Sequence, residues 1–322
     1  MITSTRRSVL GAALLAGAVS PVRAQPRKPV SLRIAYLKST SDLVLVRARG
    51  ELEPALTAVG VQVQWAGPFT AAAPAIEALA AGAVDMTIGS STAFVTARAA
   101  GVEMAMFGYQ RLSAAGECII VKSASPVSGL ADLAGRSVAV NRGGTGEYIL
   151  VRALEKAKMP LDAVRRVYLS PPDAQAAFAS GAVDGWAIWD PFLSIALEAG
   201  DARVLADGAQ CGSENAVAYF VSRAFLAAHR VVVQTMLAVL ETENDWARAH
   251  PDEAGAIWAK ELGLPASLGP RLGQNNTPRL GSVNAAAAAQ IEHIADWYVT
   301  NRIIPDRPVI APYLADLAAT KI

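Results

Sequence analysis

The chain has 322 residues, 52% of them apolar and 18% charged, with 29 basic against 28 acidic side chains. That composition holds enough apolar material for two cores and excludes a disordered or fibrous protein. The near-neutral balance supplies no basic field for nucleic acid or anionic lipid.

Residues 1–24 read as a secretory signal. Arg6-Arg7 precede a short apolar run from Val9 to Val19, and Val22-Arg23-Ala24 sets small residues at the usual cleavage positions. The run is too short for a membrane span. Thr5-Arg6-Arg7-Ser8-Val9-Leu10 is similar to a twin-arginine signal, with Val9 where such signals carry Phe; a general secretory signal is the alternative. No Cys follows the run, so no lipid anchor is indicated. The expected destination is the periplasm. Cleavage after Ala24 would leave 26 basic residues against 28 acidic.

A first strand is expected over Leu32–Lys38, ending in a cation and followed by Ser39-Thr40-Ser41, with Leu-Val-Arg-Ala at 45–48 in the next helix. Residues 75–85 then read as a helix closed by Gly82, turning into an apolar strand, Met86–Ser91, with the polar end Ser90-Ser91-Thr92. Glu117 opens the apolar strand Glu117-Cys118-Ile119-Ile120-Val121, an odd place for a charge, where it either lines a cleft or pairs with a loop cation.

The chain then repeats itself. Arg136–Arg142 is again a strand ending in a base, followed by Gly143-Gly144-Thr145-Gly146, and Leu-Val-Arg-Ala recurs at 150–153. Residues 174–184 match 75–85 at seven of eleven positions, and the strand Gly185–Asp190 follows. Two echoes in the same order predict two similar βαβ units, hence two α/β lobes with a cleft between them. In each lobe the loop after the first strand starts a helix at the C-terminal sheet edge, where open α/β sheets bind ligands.

The paired loops suit an oxyanion: sulfonate, sulfate, nitrate or carboxylate. Lys38 and Ser39 offer a cation and a hydroxyl, and Gly143, Gly144, Thr145 and Gly146 offer backbone N–H groups with little bulk at a helix start. Singly, each piece reads as an ordinary turn; their equivalent places in two lobes favour ligand contact. The loop is neither a Walker A sequence nor a G-x-G-x-x-G fingerprint, so no nucleotide is expected. In Trp186-Ala187-Ile188-Trp189-Asp190-Pro191, Asp190 is expected to cap a helix with Pro191 at its first position. Trp189 then stands at the strand end over the cleft, beside the ligand's organic part, and Trp186 faces the core. His229, His250 and His293 are scattered, and Cys118 and Cys211 lie in no zinc-like spacing, so neither metal nor cofactor is expected.

Ile34–Lys38, Gly82–Asp85, Asp132–Val140, Arg142–Thr145 and, above all, Asp184-Gly-Trp-Ala-Ile-Trp-Asp-Pro-Phe192 resemble the substrate-binding proteins of ABC importers, in the aliphatic-sulfonate, taurine and nitrate subgroup. The resemblance implies an α/β fold of the periplasmic-binding-protein-like II kind, with two hinge crossovers. Lobe 1 would span 30–112 plus 215–322, and lobe 2 113–214. The protein would be a monomer that closes on a small anion, an aliphatic sulfonate first, with taurine or nitrate as alternatives, and docks on a membrane permease. The anion would sit near Ser90, Ser91, Gly144, Thr145 and Trp189, with Lys38 and Ser39 at the rim. Such binders usually offer Ser where this chain has Gly143–Gly146, which implies more room and fewer hydroxyls. The run Asn275–Arg279 also departs from theirs. Cys118 and Cys211 flank the expected crossovers, which opens a disulfide between them if those strands are neighbours. Desulfinases with a Cys nucleophile resemble these binders too. Catalysis needs an activated thiolate, and Cys118, apolar and beside Glu117, is expected to have the opposite, a raised pKa.

Overall fold

The computed structural model describes Met1 and residues 30–317. The signal assigned to residues 1–24 lies, Met1 apart, outside the described residues. The strands are β1 (Val30–Leu37), β2 (Val61–Phe69), β3 (Met86–Ser90), β4 (Met104–Arg111), β5 (Glu117–Lys122), β6 (Ser137–Val140), β7 (Arg165–Tyr168), β8 (Gly185–Trp189), β9 (Ala202–Asp207), β10 (Ala216–Ser222) and β11 (Leu280–Ser282). They form two sheets, of order β11-β4-β10-β3-β1-β2 and β7-β6-β8-β5-β9. No helix among the described residues is long and apolar enough to cross a membrane.

The repeat has a structural cause. β1 lies parallel between β2 and β3, and β6 lies parallel between β7 and β8. The helices Ala72–Ala80 and Pro171–Ala179 end before Gly82 and Gly181, whose φ values of 70° and 76° favour glycine. The Asp that follows then ties the new strand to the first one. Asp85 accepts from the Arg33 backbone N–H at 2.9 Å, and Asp184 accepts from that of Ser137 at 2.8 Å. Both carboxylates also face a guanidinium, Arg33 and Arg136 respectively.

Neither sheet is parallel throughout. β10 runs antiparallel between β3 and β4, and β5 antiparallel between β8 and β9. Both follow a crossing from one sheet to the other, at residues 112–116 and 212–215. A strand entering from the other sheet's end runs against its new neighbours. One apolar cluster runs through both halves, from Leu32 and Ile34 to Ile119 and Val138, and a second one includes Trp186. Trp186 is 1% exposed and packs on Phe178 and Phe192 at ring distances of 6.0 and 6.4 Å. The helix Ala285–Thr300 leans on the helix Thr145–Lys156, with Tyr148 edge-on to Trp297 at 5.0 Å and the Trp297 indole donating to Glu155 at 2.9 Å. Cys118 and Cys211 are buried free thiols, so the disulfide is not formed.

Candidate ligand-binding site

A cavity of about 600 Å³ opens between the sheets, and five helix N-termini border it. From the first sheet come Asp42–Arg49 with Ser39, Thr40 and Ser41, Ala72–Ala80 with Thr70 and Ala71, and Ser91–Ala99 with Ser90. From the second come Thr145–Lys156 with Gly143 and Gly144, and Pro171–Ala179 with Ser170. Ser90 and Ser170 cap their own helices, accepting from the N–H of Ala93 at 3.1 Å and of Asp173 at 3.4 Å. The N-cap residues Ser41, Ala71 and Gly144 make no such side-chain bond. First-turn N–H groups at the Ser41 and Ala71 ends are therefore left for water or ligand, with the positive end of each helix dipole behind them, whereas at the Gly144 end Asn141 takes the Gly146 N–H.

Charged side chains play a smaller part. Arg142 is the only cationic residue among those that line the cavity, and Glu77 and Asp190 are the only acidic ones. The Arg142 guanidinium lies 3.6 Å over the Tyr168 ring. Tyr168 Oη donates to Glu147 Oε1 at 2.6 Å, Arg166 donates to the same oxygen at 3.0 Å, and Glu147 Oε2 accepts from the Gly143 N–H at 2.7 Å. One buried carboxylate thus fixes both the glycine loop and the platform under Arg142. Burial, and then the Glu147 carboxylate, hold the Tyr168 phenol above its usual pKa.

Ser39, Ser90, Gly143, Gly144, Thr145, Trp189 and Asp190 line the cavity; Lys38, Ser91, Glu117 and Gly146 do not. Lys38 is exposed and turns away between two lining residues, Leu37 and Ser39. Ser91 and Glu117 belong instead to a buried node around Asn215, which is 1% exposed. Asn215 Nδ2 donates to Thr145 Oγ1 at 2.9 Å and to Glu117 Oε2 at 3.2 Å, and its Oδ1 accepts from Ser91 Oγ at 3.1 Å. Burial pushes the Glu117 carboxyl up to about 7. It therefore neither lines the cleft nor pairs with a loop cation. Gly146 donates its N–H to Asn141 Oδ1 at 2.7 Å, and a Cβ there would strike the carbonyl of Ala187.

The glycine loop is not spare room for ligand. Gly143 has φ 62°, and a Cβ would come within 2.8 Å of Thr96 on the other lobe's helix. Thr96 Oγ1 donates to the Gly143 carbonyl at 2.7 Å. The small residue lets the two halves meet.

Asp190 reaches the cavity wall with both oxygens occupied. Oδ1 accepts from the Ser194 N–H at 2.9 Å and its hydroxyl at 2.6 Å, and Oδ2 accepts from Asn275 and Asn276 at 3.0 Å each. The capping role is present, although the helix starts at Phe192, with Pro191 at the N-cap. Asp190 is a tie between the halves rather than a free ligand group. Trp189 is half-buried at the wall. Asn215, Tyr168 and the helix start at Thr70–Ala72 join the site without having been expected there. Only the last carried a signal, as the end of a further strand of the first βαβ unit.

No catalytic or metal-binding cluster comes together here. Cys118 and Cys211 lie outside the lining; burial raises both thiols, Cys211 to about 12 and Cys118 further. A thiol held protonated is a poor nucleophile. Among the described residues no group of three or more His, Cys, Asp and Glu side chains could hold a metal ion. His293 pairs with Glu214, and His250 with the Trp246 carbonyl, away from the cavity.

Residues 57–254 match the family model described as NMT1/THI5 like. A protein of Escherichia coli (strain K12) named for binding aliphatic sulfonates is 32% identical over 87% of this chain and 86% of its own. The crystal structure of the periplasmic aliphatic sulphonate binding protein SsuA from Escherichia coli superposes with a TM-score of 0.80 at 31% identity, covering 89% of this chain and 92% of that one. The alkanesulfonate-binding protein SsuA from Xanthomonas axonopodis pv. citri, bound to MOPS, gives 0.83 at 30%, covering 89% and 98%. The desulfurization enzyme DSZB, at 18% identity and a TM-score of 0.64, shares the fold alone. By sequence and by structure, this chain belongs to the NMT1/THI5-like family.

Proposed function

We propose that this chain is the periplasmic solute-binding protein of an ABC importer, and that its ligand is an aliphatic sulfonate. One observation carries the reading: three helix ends whose N-cap residues make no capping bond, drawn from both sheets, border one cavity, and only one of them, at Gly144, has a first-turn N–H taken by another side chain, that of Asn141. A sulfonate presents three equivalent oxygens, each of which accepts from a different helix end. The rest of the wall is largely apolar, with Leu37, Ile88, Leu169, Trp189 and Val217. Such a surface serves an organic tail and has no use for nitrate or sulfate. The relatives named for sulfonate binding support the assignment.

Binding closes lobe 1 (30–112 plus 215–322) on lobe 2 (113–214) about the two crossings, shifting an open–closed equilibrium. The closed monomer then delivers its ligand to the permease. Arg142 and the Ser39 and Ser90 hydroxyls complete the anion's shell, and Trp189 covers the tail. No reaction takes place. Calorimetry of the mature protein against alkanesulfonates, taurine, nitrate, sulfate and bicarbonate, with tryptophan fluorescence, tests this. Micromolar or tighter binding of alkanesulfonates, with the inorganic anions ignored and no product formed, is expected. Silence towards all sulfonates, or turnover of one of them, would overturn the proposal.

A further inference from the structure

The cavity does not end at the anion. It continues as a trench between the helices Ala72–Ala80 and Ser91–Ala99, walled by Ala73 and Ile76 on one side and by Ala93, Ala97 and Ala100 on the other. Ala93, Ala97 and Ala100 recur at helical spacing along one face, so the trench runs about 10 Å along its helix at ~1.5 Å per residue. That matches an extended chain of roughly eight carbons, with C–C bonds of about 1.5 Å in zigzag. A volume of about 600 Å³ lies in the range that encloses an organic ligand of some size.

The acids in the wall say what the tail is not. An ammonium two carbons from a sulfonate, as in taurine, needs a carboxylate beside the headgroup. Asp190 has its two oxygens occupied by Ser194, Asn275 and Asn276. Glu77, the only other acid in the lining, sits in the second turn of its helix, about 7–8 Å along the axis from Ala72 at ~1.5 Å per residue.

Resting on the sulfonate reading, we propose that the ligand carries an uncharged, apolar tail of about eight carbons lying in this trench, and that Ala97 and Ala100 set its length. The experiment is calorimetry with the linear series from methane- to decanesulfonate, plus taurine. Affinity is expected to tighten about two- to threefold per methylene, less than the roughly fourfold of full burial because the trench is open, and to level off near eight carbons. Ethanesulfonate is expected to bind better than taurine. In Ala97→Leu, and in the more exposed Ala100→Leu should the first fail to fold, the ratio of octane- to ethanesulfonate affinity falls at least tenfold. Sulfonates bound with no dependence on chain length, or taurine preferred to ethanesulfonate, would overturn the tail assignment alone. No binding of any sulfonate would overturn the underlying function instead.

Discussion

Replacing Asn215 by alanine removes three hydrogen bonds at once, to Thr145, Glu117 and Ser91, from a site 1% exposed. At pH 6 the Glu117 carboxyl, pushed up to about 7, is mostly protonated, so all three bonds are neutral and worth about 1 kcal/mol each. Asn215→Ala is therefore expected to cost about 2–4 kcal/mol, at the lower end where a water fills the space left. That is a large part of the 5–15 kcal/mol by which such chains are stable. Thermal unfolding of the ligand-free protein by calorimetry, at pH 6, measures it. Ser91 and Thr145 are the first residues of the two helices that face the cavity from opposite sheets, so ligand affinity should fall too. Asn215→Asp is the sharper variant. It keeps the acceptor for Ser91, loses both donated bonds, and sets a second carboxyl against Glu117. Its deficit should therefore grow as pH rises through about 7, where Glu117 ionises. A cost under about 1 kcal/mol for Asn215→Ala, or identical pH profiles for the two variants, would refute the node.

Asp42, held between Tyr219 and Asn244, is pushed by burial up to about 7, as is Glu117. Their folded-state pKa values lie above the unfolded ones, so the native state binds extra protons from about pH 4 to 7. Stability from these two groups is then full at low pH and lost as pH rises towards 7. The melting temperature should fall between pH 5 and pH 8, and fall less in Asp42→Asn and Glu117→Gln. Asp184, lowered by its Ser137 bonds, works in the opposite sense and in a lower window, losing its contribution only as pH drops below about 4. Trp186→Ala should cost about 3–5 kcal/mol in unfolding experiments. Trp189→Ala, half-buried, should cost far less stability and weaken alkanesulfonate binding about tenfold, together with most of the fluorescence response. Gly143→Ala forces φ 62° on a Cβ that meets Thr96, so it should lower the melting temperature and weaken ligand binding, both measurable in one calorimetric series.

The two-lobe architecture was legible because its determinants are local. The residues 75–85 and 174–184 carry a glycine that stops a helix and an aspartate that ties the next strand, and each acts within one βαβ unit. The contrast between Trp186 and Trp189 was legible too, because side chains alternate across a strand. What stayed hidden depends on partners far along the chain. Ser91 and Glu117 read as cleft residues because each is polar at a sheet edge. The residue that claims them, Asn215, is 124 and 98 positions away. Gly143 looked like space for a ligand, and only the opposite lobe shows that Thr96 fills it. The antiparallel β5 and β10 escaped for the same reason: no periodicity records from which end a strand enters a sheet.

The distribution of contacts between the halves bears on how such a site can release what it holds. Ties near the crossings are buried or part-buried: the Asn215 node, Trp297 to Glu155, and Asp190 to Asn275 and Asn276. Others are fewer: Thr96 and Tyr298 to the Gly143 carbonyl, and exposed Ser267 to Glu198. Opening about the crossings would spare the first set and break the second. Three such bonds are worth about 1 kcal/mol each. The empty protein is then poised within a few kcal/mol of either state, and a ligand that touches both lobes supplies the difference through its contacts alone. Dipoles fixed in the backbone suit this balance. An anion held by helix ends leaves no strong buried charge pair to be broken when the lobes part, whereas a cavity walled by several guanidinium groups would repel itself once emptied. Arg142, the one cation among the lining residues, sits exposed on the Tyr168 ring, open to solvent.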